Sequence, residues 1–251
     1  MASAASIREL EELAMNALPA LESERFDGWI LRAAGGYTGR ANSAAPLYPG
    51  ELEAAEKIKH TETWFRTRGL TPMIRLTAAA QPTHLESLLA ERGYWLRDGG
   101  VSVQTCSLDG AALTTDGIKV TEGAVSKHWL AALADFQPAV AHHLEDVHRL
   151  FARLPATSAF ATVQDGTTPA AIGRAVFEHG SVGLFDVVTR ADLRRRGLAA
   201  AVTRTLLAWG TRHGATRAYL QVVPSNDAAC RLYAGLGFHE AYRYWYRVAP
   251  R

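Results

Sequence analysis

The stretch Arg194-Arg195-Arg196-Gly197-Leu198-Ala199 decides the fold, because a predicted strand ends just before it and a predicted helix begins within it. The preceding residues 181–189 are rich in β-branched and aromatic side chains, which predicts a strand. After the loop, apolar side chains recur at helical spacing up to His213, and Gly214 supplies a stop. A strand that turns through a basic, glycine-containing loop into a helix directs free backbone N–H groups at one point, which predicts a phosphate site.

A second motif lies at residues 226–238, which read Asn-Asp-Ala-Ala-Cys-Arg-Leu-Tyr-Ala-Gly-Leu-Gly-Phe and follow a predicted strand at 216–223. Together the two motifs resemble those of the GNAT acyl-CoA N-acyltransferases. In that family the phosphate loop reads Gln/Arg-x-x-Gly-x-Gly/Ala, and here Arg194, Gly197 and Ala199 fill its positions. The family's ending reads Asn-x-x-Ala-x-x-Leu-Tyr-x-x-Leu-Gly-Phe. The resemblance is firm over about residues 155–248.

The first half of the chain follows the same order of elements. Its pattern predicts a strand at 29–34, a helix at 51–69, a strand at 72–77 and a helix at 82–92. The resemblance therefore implies an α/β (α+β) fold with two GNAT-like domains, each a mixed, mainly antiparallel sheet flanked by helices. The polar, glycine-containing segment 115–123 predicts the boundary, which gives domains of 1–114 and 115–251.

The first half departs from the family where a phosphate would bind. Its strand and helix are joined by Tyr48-Pro49-Gly50 in place of the phosphate loop, and Pro49 has no N–H to donate. We expect a degenerate domain at 1–114 and an acetyl-CoA-binding catalytic domain at 115–251. The chain ends on a predicted strand, whose alternation puts Tyr242, Tyr244 and Tyr246 on one face, in a core or at an interface.

The resemblance implies that acetyl-CoA is the cosubstrate and that an amine-bearing molecule is the acceptor. Tyr233 lies where the family places its general acid, and we expect the backbone N–H of Val188 to polarise the thioester oxygen. Asn226 either caps its helix or contacts CoA. The residues implied to bind the cosubstrate are Val187, Val188, Thr189, Arg194, Arg195, Arg196, Gly197, Leu198, Ala199, Ala200, Asn226 and Tyr233.

The general base is where the sequence differs from its relatives. Several members carry a glutamate on the strand after the phosphate helix, whereas here that position is Gln221, which cannot accept a proton. Asp186 is the best remaining carboxylate, with Glu178 and His179 less well placed at the preceding turn. Asp186 can equally be a strand-end residue bonded to backbone.

The overall composition narrows the classes of partner. A formal net charge of +2 is too small to predict nucleic-acid binding, and no apolar run is long enough to predict a membrane span. Only two cysteines, Cys106 and Cys230, are present, which is typical of free thiols in the cytoplasm. On a predicted helix at 139–153, His142 and Asp146 have a metal-like spacing, but a solvated face is favoured and no metal is expected. Glu145 and His142 are possible substrate contacts.

The expected function is transfer of an acetyl group from acetyl-CoA to a primary amine, of a small molecule or a protein, by direct attack in a ternary complex. One alternative is a catalytically silent CoA-binding regulatory protein, which the missing glutamate at position 221 motivates. Another is an acyltransferase that uses a different acyl-CoA, because the sequence does not define the size of the acyl pocket. We expect a monomer or a homodimer.

Overall fold

The computed structural model describes residues 2–109 and 117–250. The described chain forms two compact units. The first unit contains the residues up to Val103, residues 222–226 and the residues from Glu240 onward, and the second contains Gln104–Gln221 and Asp227–His239.

The described chain contains both helices and strands, which begin with α1 and end with β11. The helices are α1 (Ala4–Asn16), α2 (Ala54–Arg66), α3 (Leu85–Glu91), α4 (Lys127–Phe136), α5 (Pro138–Ala141), α6 (Leu144–Phe151), α7 (Leu198–Arg212) and α8 (Asp227–Gly235). The strands are β1 (Glu22–Phe26), β2 (Trp29–Ala33), β3 (Ser43–Ala45), β4 (Met73–Thr77), β5 (Trp95–Ser107), β6 (Lys119–Glu122), β7 (Ser158–Asp165), β8 (Thr168–Glu178), β9 (Ser181–Thr189), β10 (Arg217–Val222) and β11 (His239–Val248).

In the first unit the strands lie in the order β1-β2-β3-β4-β11-β5. β3 and β4 are parallel, whereas β1–β2, β2–β3 and β4–β11 are antiparallel. The core forms where α2 packs on the sheet, because apolar residues alternate along β2 and recur at helical spacing in α2. Its fully buried members include Trp29, Leu31, Ile58, Phe65, Ile74 and Leu76.

In the second unit the order is β5-β10-β9-β8-β7-β6, in which β5 contributes its last residues. β9 and β10 are parallel, and β6–β7, β7–β8 and β8–β9 are antiparallel. α7 lies close to this sheet, since a Cβ added to Gly210 would meet Val182 Cβ at 2.7 Å. Both units thus hold a mixed, mainly antiparallel sheet with flanking helices, which confirms the predicted fold class.

The two units share one plan. In each, a run of strands is adjacent in chain order, from β1 to β4 in the first unit and from β6 to β10 in the second. The last two strands of each run are parallel, and a helix connects them. The strand beside the last one comes in each case from the other half of the sequence: β11 lies beside β4, and β5 lies beside β10. The units therefore differ from the predicted ranges 1–114 and 115–251, because Glu240–Pro250 lies in the first unit and Gln104–Asp109 in the second.

One local prediction was wrong. The predicted helix at 139–153 is divided into α5 and α6, because His142 ends the first and His143 precedes the second. The predicted boundary segment 115–123 begins outside the described residues, but its part at Lys119–Glu122 is the strand β6, paired with β7. By contrast, the buried face of Tyr242, Tyr244 and Tyr246 on β11 confirms the prediction of a core position. In the described part of the chain, no helix is long and apolar enough to cross a bilayer.

Candidate functional site

The loop between β9 and α7 has the conformation of an anion-binding turn. Arg195 and Gly197 have φ values of 66° and 78°, so two left-handed residues reverse the chain just before the helix. Gly197 is the N-cap residue of α7, and a Cβ added there would meet nothing within 4 Å. Space is therefore open above the beginning of the helix.

Several backbone N–H groups at this loop have no acceptor within residues 2–109 and 117–250. The N–H of Ala201 donates to Gly197 O at 3.0 Å and starts the helical pattern. Among the described residues, no acceptor is found for the N–H groups of residues 195–200. The side chains of Arg194, Arg195 and Arg196 are exposed around them. Free amides, a positive helix end and three guanidinium groups together favour an anionic ligand.

Arg190 holds the start of this loop, a role that the sequence analysis missed. Its Nη2 lies 2.7 Å from Asp165 Oδ2, and its Nε lies 2.8 Å from Asp192 Oδ1. The hydrogen bond from Arg190 keeps the pKa of the Asp192 carboxyl below its usual value. Leu193 is buried beneath the turn. The alternating charges of Arg190 and Asp192 were the available sequence signal.

β9 and β10 separate before β9 ends. Their parallel pairing runs only from Ser181–Arg217 to Leu184–Leu220. Beyond Leu184, β9 continues to Thr189 and, in the part of the chain that the structure describes, pairs with β8 alone, so one of its edges is open there. An open edge offers backbone N–H and C=O groups to an extended ligand.

The predicted residues Val187, Val188 and Thr189 all lie on this open segment. The N–H of Arg190 donates to Ala170 O on β8 at 2.9 Å. Because the amides of alternate residues point the same way in a strand, the amide of Val188 is also directed at β8. Those of Val187 and Thr189 point to the open edge, which favours them over Val188 as donors to a ligand.

Asp186 lies at an irregularity in β9 and is ion-paired. Its φ is 53°, and its Oδ2 lies 2.9 Å from the Nε of Arg174 on β8. The guanidinium of Arg174 is 1% exposed and packs against the rings of Phe151 and Phe185. The predicted base is thus already the acceptor of a buried cation. Arg174 was not singled out by the sequence analysis, because nothing local to β8 marks it.

The other predicted candidates for a base lie farther away or lack a titratable group. Glu178 and His179 lie at the turn that precedes β9, whereas the phosphate loop follows its far end. The nine residues of β9 that lie between them span about 30 Å. Gln221 lies on β10, half-buried. His142 and Glu145 are exposed at the end of α5 and in α6. No group of three or more His, Cys, Asp or Glu residues suited to a metal ion occurs within residues 2–109 and 117–250.

Tyr233 lies on α8, a helix with no fully buried residue. Its ring contacts that of Phe238 edge-on, with 5.9 Å between centroids. Among the described residues its hydroxyl has no hydrogen-bond partner. Burial raises the pKa of Tyr233 to about 12, so the phenol is protonated at neutral pH. Just before α8, the exposed Asn226 donates its backbone N–H to Val223 O.

Comparison with known proteins identifies the family. Residues 4–247 match the family described as "Probable histone acetyltransferase Rv0428c C-terminal". The protein "Uncharacterized N-acetyltransferase YobR" of Bacillus subtilis (strain 168) is 27% identical over 248 residues, which cover 96% of this chain and 98% of YobR.

Two solved structures share the fold of the whole chain. A GCN5-related N-acetyltransferase from Kribbella flavida has a TM-score of 0.69 at 18% identity, covering 100% of this chain and 97% of its own. A tandem GNAT protein from the clavulanic acid biosynthesis pathway has a TM-score of 0.62 at 12% identity, and the match covers 96% of this chain and 88% of that protein. With the family match over residues 4–247, the chain belongs to this family of GNAT N-acetyltransferases and is an acyl-CoA-dependent acetyltransferase.

Proposed function

We propose that the second unit transfers the acetyl group of acetyl-CoA to a primary amine, by direct attack in a ternary complex. The observation that carries this proposal is the continuity of two open features. The free amides at the start of α7 suit a pyrophosphate, and the open edge of β9 that leads to them suits an extended pantetheine arm. The acceptor is a small molecule or a protein amino group.

In this proposal the phosphate loop holds the CoA moiety. The amides of residues 195–200 donate to the pyrophosphate, and Arg194, Arg195 and Arg196 add charge around it. The pantetheine pairs with residues 187–189 of β9. The amide of Val187 or Thr189, which faces the open edge, then donates to the thioester oxygen as negative charge develops on it. Asn226, just before α8, adds a contact to CoA or caps the helix.

Tyr233 acts as the general acid. The amine nitrogen attacks the thioester carbon, the C–S bond breaks, and the departing thiolate takes the phenolic proton. The raised pKa of Tyr233, about 12, keeps this proton in place until it is needed. Because the hydroxyl has no hydrogen-bond partner among the described residues, it is available to the sulfur.

An amine proton must also be removed, and Asp186 is the proposed base, acting through water. The ion pair with Arg174, whose Nε lies 2.9 Å from Asp186 Oδ2, fixes the position of this carboxylate beside β9. The Asp186→Asn variant described below separates this role from a structural one. No metal is required by this chemistry.

In this proposal the residues up to Val103, which make up most of the first unit, take no part in binding acetyl-CoA. The connection between β3 and α2 is occupied by the chain's own Asp27 carboxylate, which accepts the N–H groups of Glu51 and Leu52. We further propose that the enzyme acts in the cytoplasm, as a monomer or a homodimer, without binding nucleic acid or membranes. Within the described residues, neither Cys106 nor Cys230 forms a disulfide.

The absence of a carboxylate at Gln221 favours one alternative, a CoA-binding protein without catalysis. Comparison of acetyl-, propionyl- and succinyl-CoA turnover on a panel of primary amines, read as free thiol released, separates it from the proposed enzyme. Thiol release that depends on the amine and is fastest with acetyl-CoA is expected. Faster turnover of a longer acyl-CoA would change the proposed donor, and no turnover with any donor would favour the silent protein.

Calorimetric titration with acetyl-CoA tests whether only one of the two units binds the cosubstrate. One site per chain is the expected result. Two sites would contradict the proposal that the first unit is closed, and no binding would overturn the proposed function itself.

A further inference from the structure

The irregularity in β9 is a β-bulge centred on Asp186. Ile172 pairs with Val188 and Arg174 pairs with Phe185, so Asp186 and Val187 together oppose the single residue Gly173. A left-handed φ of 53° at Asp186 accommodates the extra residue. Aspartate tolerates this conformation better than most residues, but at some cost in free energy.

The bulge changes which way the end of β9 faces. A Cβ added to Gly183 would meet the rings of Phe185 and Tyr219, so Phe185 lies on the same face of the sheet as Gly183. This face is opposite to α7, because the neighbouring Val182 is the residue that contacts Gly210 of α7. A Cβ added to Gly173 would meet Val187 at 3.3 Å and Val202 of α7 at 2.5 Å, so Val187 lies on the α7 face. In a regular strand, residues two apart share a face. The bulge therefore inverts the alternation from Val187 onward, and with it the direction of each backbone amide.

Arg174 holds this bulge from the neighbouring strand. Its buried Nε donates to the Asp186 carboxylate at 2.9 Å, and the rings of Phe151 and Phe185 cover the guanidinium. Burying an ion pair brings little net stability, because both charges lose their hydration. An ion pair with a directional hydrogen bond can, however, favour one backbone conformation over another, which a non-directional hydrophobic contact cannot do.

We propose that Arg174 is a positioning residue for acetyl transfer. By binding Asp186 it keeps the bulge in place, and thereby directs the amides of Val187 and Thr189 to the open edge of β9. The inference rests on the proposed function, because these amides are the ones offered to the pantetheine and the thioester. Arg174 touches neither substrate and acts through the backbone of β9.

The test compares two ligands in calorimetric titrations of the full chain. CoA uses both the phosphate loop and the β9 edge, whereas adenosine 3′-phosphate 5′-diphosphate carries the phosphates without the pantetheine arm. In Arg174→Met we expect CoA affinity to fall about tenfold while affinity for the nucleotide stays within about twofold. An equal loss for both ligands, or no loss, would overturn the inference.

Two further variants keep the test decisive. Arg174→Met/Asp186→Gly removes the unpaired carboxylate and supplies a residue that adopts positive φ freely, so it should recover most of the CoA affinity. If the single variant does not fold, this double variant is compared with Arg174→Met/Asp186→Val, in which the β-branched residue opposes the bulge. Equal CoA affinities of these two doubles would contradict the inference.

Asp186→Asn separates positioning from proton transfer. The amide oxygen can still accept from Arg174, so the positioning role predicts wild-type CoA affinity in this variant. Because Asp186 is also the proposed base, kcat should fall about 100-fold at that unchanged affinity. A loss of CoA affinity in Asp186→Asn as large as that in Arg174→Met would count against the inference, because this variant retains the hydrogen bond to Arg174.

A matched control excludes general loosening. Arg75 forms a comparably buried pair with Glu11 in the first unit, 2.6 Å apart. Arg75→Met should lower stability without changing the ratio of CoA to nucleotide affinity, and a changed ratio would count against a specific role of Arg174. Failure of the wild-type chain to bind either ligand would refute the proposed function, a result distinct from every outcome above.

Discussion

The beginnings of α2 and α7 occupy the same topological position in the two units. They differ in whether the backbone N–H groups there donate to an acceptor within the protein. At α7, no protein acceptor is found among the described residues for the N–H groups of residues 195–200. Ahead of α2, the N–H groups of Glu51 and Leu52 donate to the two carboxylate oxygens of Asp27, each at 2.9 Å. Lys57 Nζ lies 2.7 Å from the same carboxylate.

The closed turn ahead of α2 shows what replaces a lost phosphate site. A carboxylate from the β1–β2 turn takes the position of an anionic ligand, and a buried lysine balances its charge. There is no room for another group, because a Cβ added to Gly50 would meet Asp27 Oδ2 at 2.2 Å. The first unit thus supplies an internal acceptor for the backbone N–H groups ahead of α2, whereas the second unit leaves those at the start of α7 for a ligand.

The strongest test of this contrast is Gly197→Glu. A side chain and a negative charge at the open amides should weaken acetyl-CoA binding by at least ~100-fold. Because a Cβ at this position would meet nothing within 4 Å, the fold should persist. Calorimetric titration gives the affinity, and a thermal melt reports on the fold.

Gly197→Ala is the matched control, since it adds the strain of φ 78° without the charge. We expect a cost of about 1 kcal/mol in stability and only a few-fold loss of affinity. Unchanged affinity in Gly197→Glu would show that the pyrophosphate binds elsewhere.

The next largest effect concerns two tyrosines, one in each unit. Tyr233→Phe removes the proposed acid and should lower kcat about 100-fold while acetyl-CoA affinity stays the same. Tyr94→Phe in the first unit removes a buried hydroxyl that donates to Glu62, and should cost about 1 kcal/mol of stability with kcat unchanged. A wild-type kcat in Tyr233→Phe would rule out the phenol as the acid.

The pH dependence of kcat gives a second test of Tyr233. The folded pKa of Tyr233 is raised to about 12, so the phenol stays protonated through neutral and moderately alkaline pH. We therefore expect no decline of the wild-type kcat from this group below that range. A decline near pH 8–9 that disappears in Tyr233→Phe would contradict the raised pKa.

Asp27→Asn tests the closed turn. The carboxylate has a folded pKa lowered from 3.8 to about 2, chiefly by the hydrogen bond from Lys57 and the amide of Glu51. A lowered pKa contributes stability that is complete above 3.8 and is lost as the pH falls through about 2. The variant should therefore have a lower Tm than wild type at pH 7, and the difference should shrink between pH 4 and pH 2.

Acetyl-CoA affinity at the second unit serves as the internal control, and it should not change in Asp27→Asn. Equal melting temperatures at pH 7 would mean that the carboxylate does not hold the turn. A second molecule of acetyl-CoA bound by the variant would show that Asp27 alone keeps the first unit closed.

Local patterns were sufficient to predict several elements of each unit, because each of these elements buries one face. The strand at 181–189 and the helix after Gly197 were predicted almost to the residue. The partner of the last strand was not, since alternation of Tyr242, Tyr244 and Tyr246 shows which face is buried but not which strand lies alongside. Pairing of β11 with β4 joins residues far apart in the chain.

The candidate site shows the same limit. The loop and Tyr233 were found because their motifs are contiguous in sequence. Three interactions that the sequence did not predict join residues on different elements. They are the ion pair of Arg174 with Asp186, the hydrogen bonds of Asp27 with the amides of Glu51 and Leu52, and the ion pair of Arg190 with Asp165. Asp186 within an otherwise apolar strand was a signal for the bulge, but its partner depended on the register of β8 and β9, which sequence spacing does not fix.

The smallest predicted effect concerns how each helix is held to its sheet. α2 packs through full-sized side chains such as Ile58 and Phe65, whereas α7 brings Gly210 against Val182. A Cβ on Gly210 would meet Val182 Cβ and Cγ1 at 2.7 Å, so Gly210→Ala should destabilise the protein by about 1–3 kcal/mol. Gly235→Ala on α8 meets nothing within 4 Å and should be neutral or stabilise by up to ~1 kcal/mol. Denaturant unfolding of both variants gives the sign, and a neutral Gly210→Ala would show that close approach does not fix α7 and its open amides.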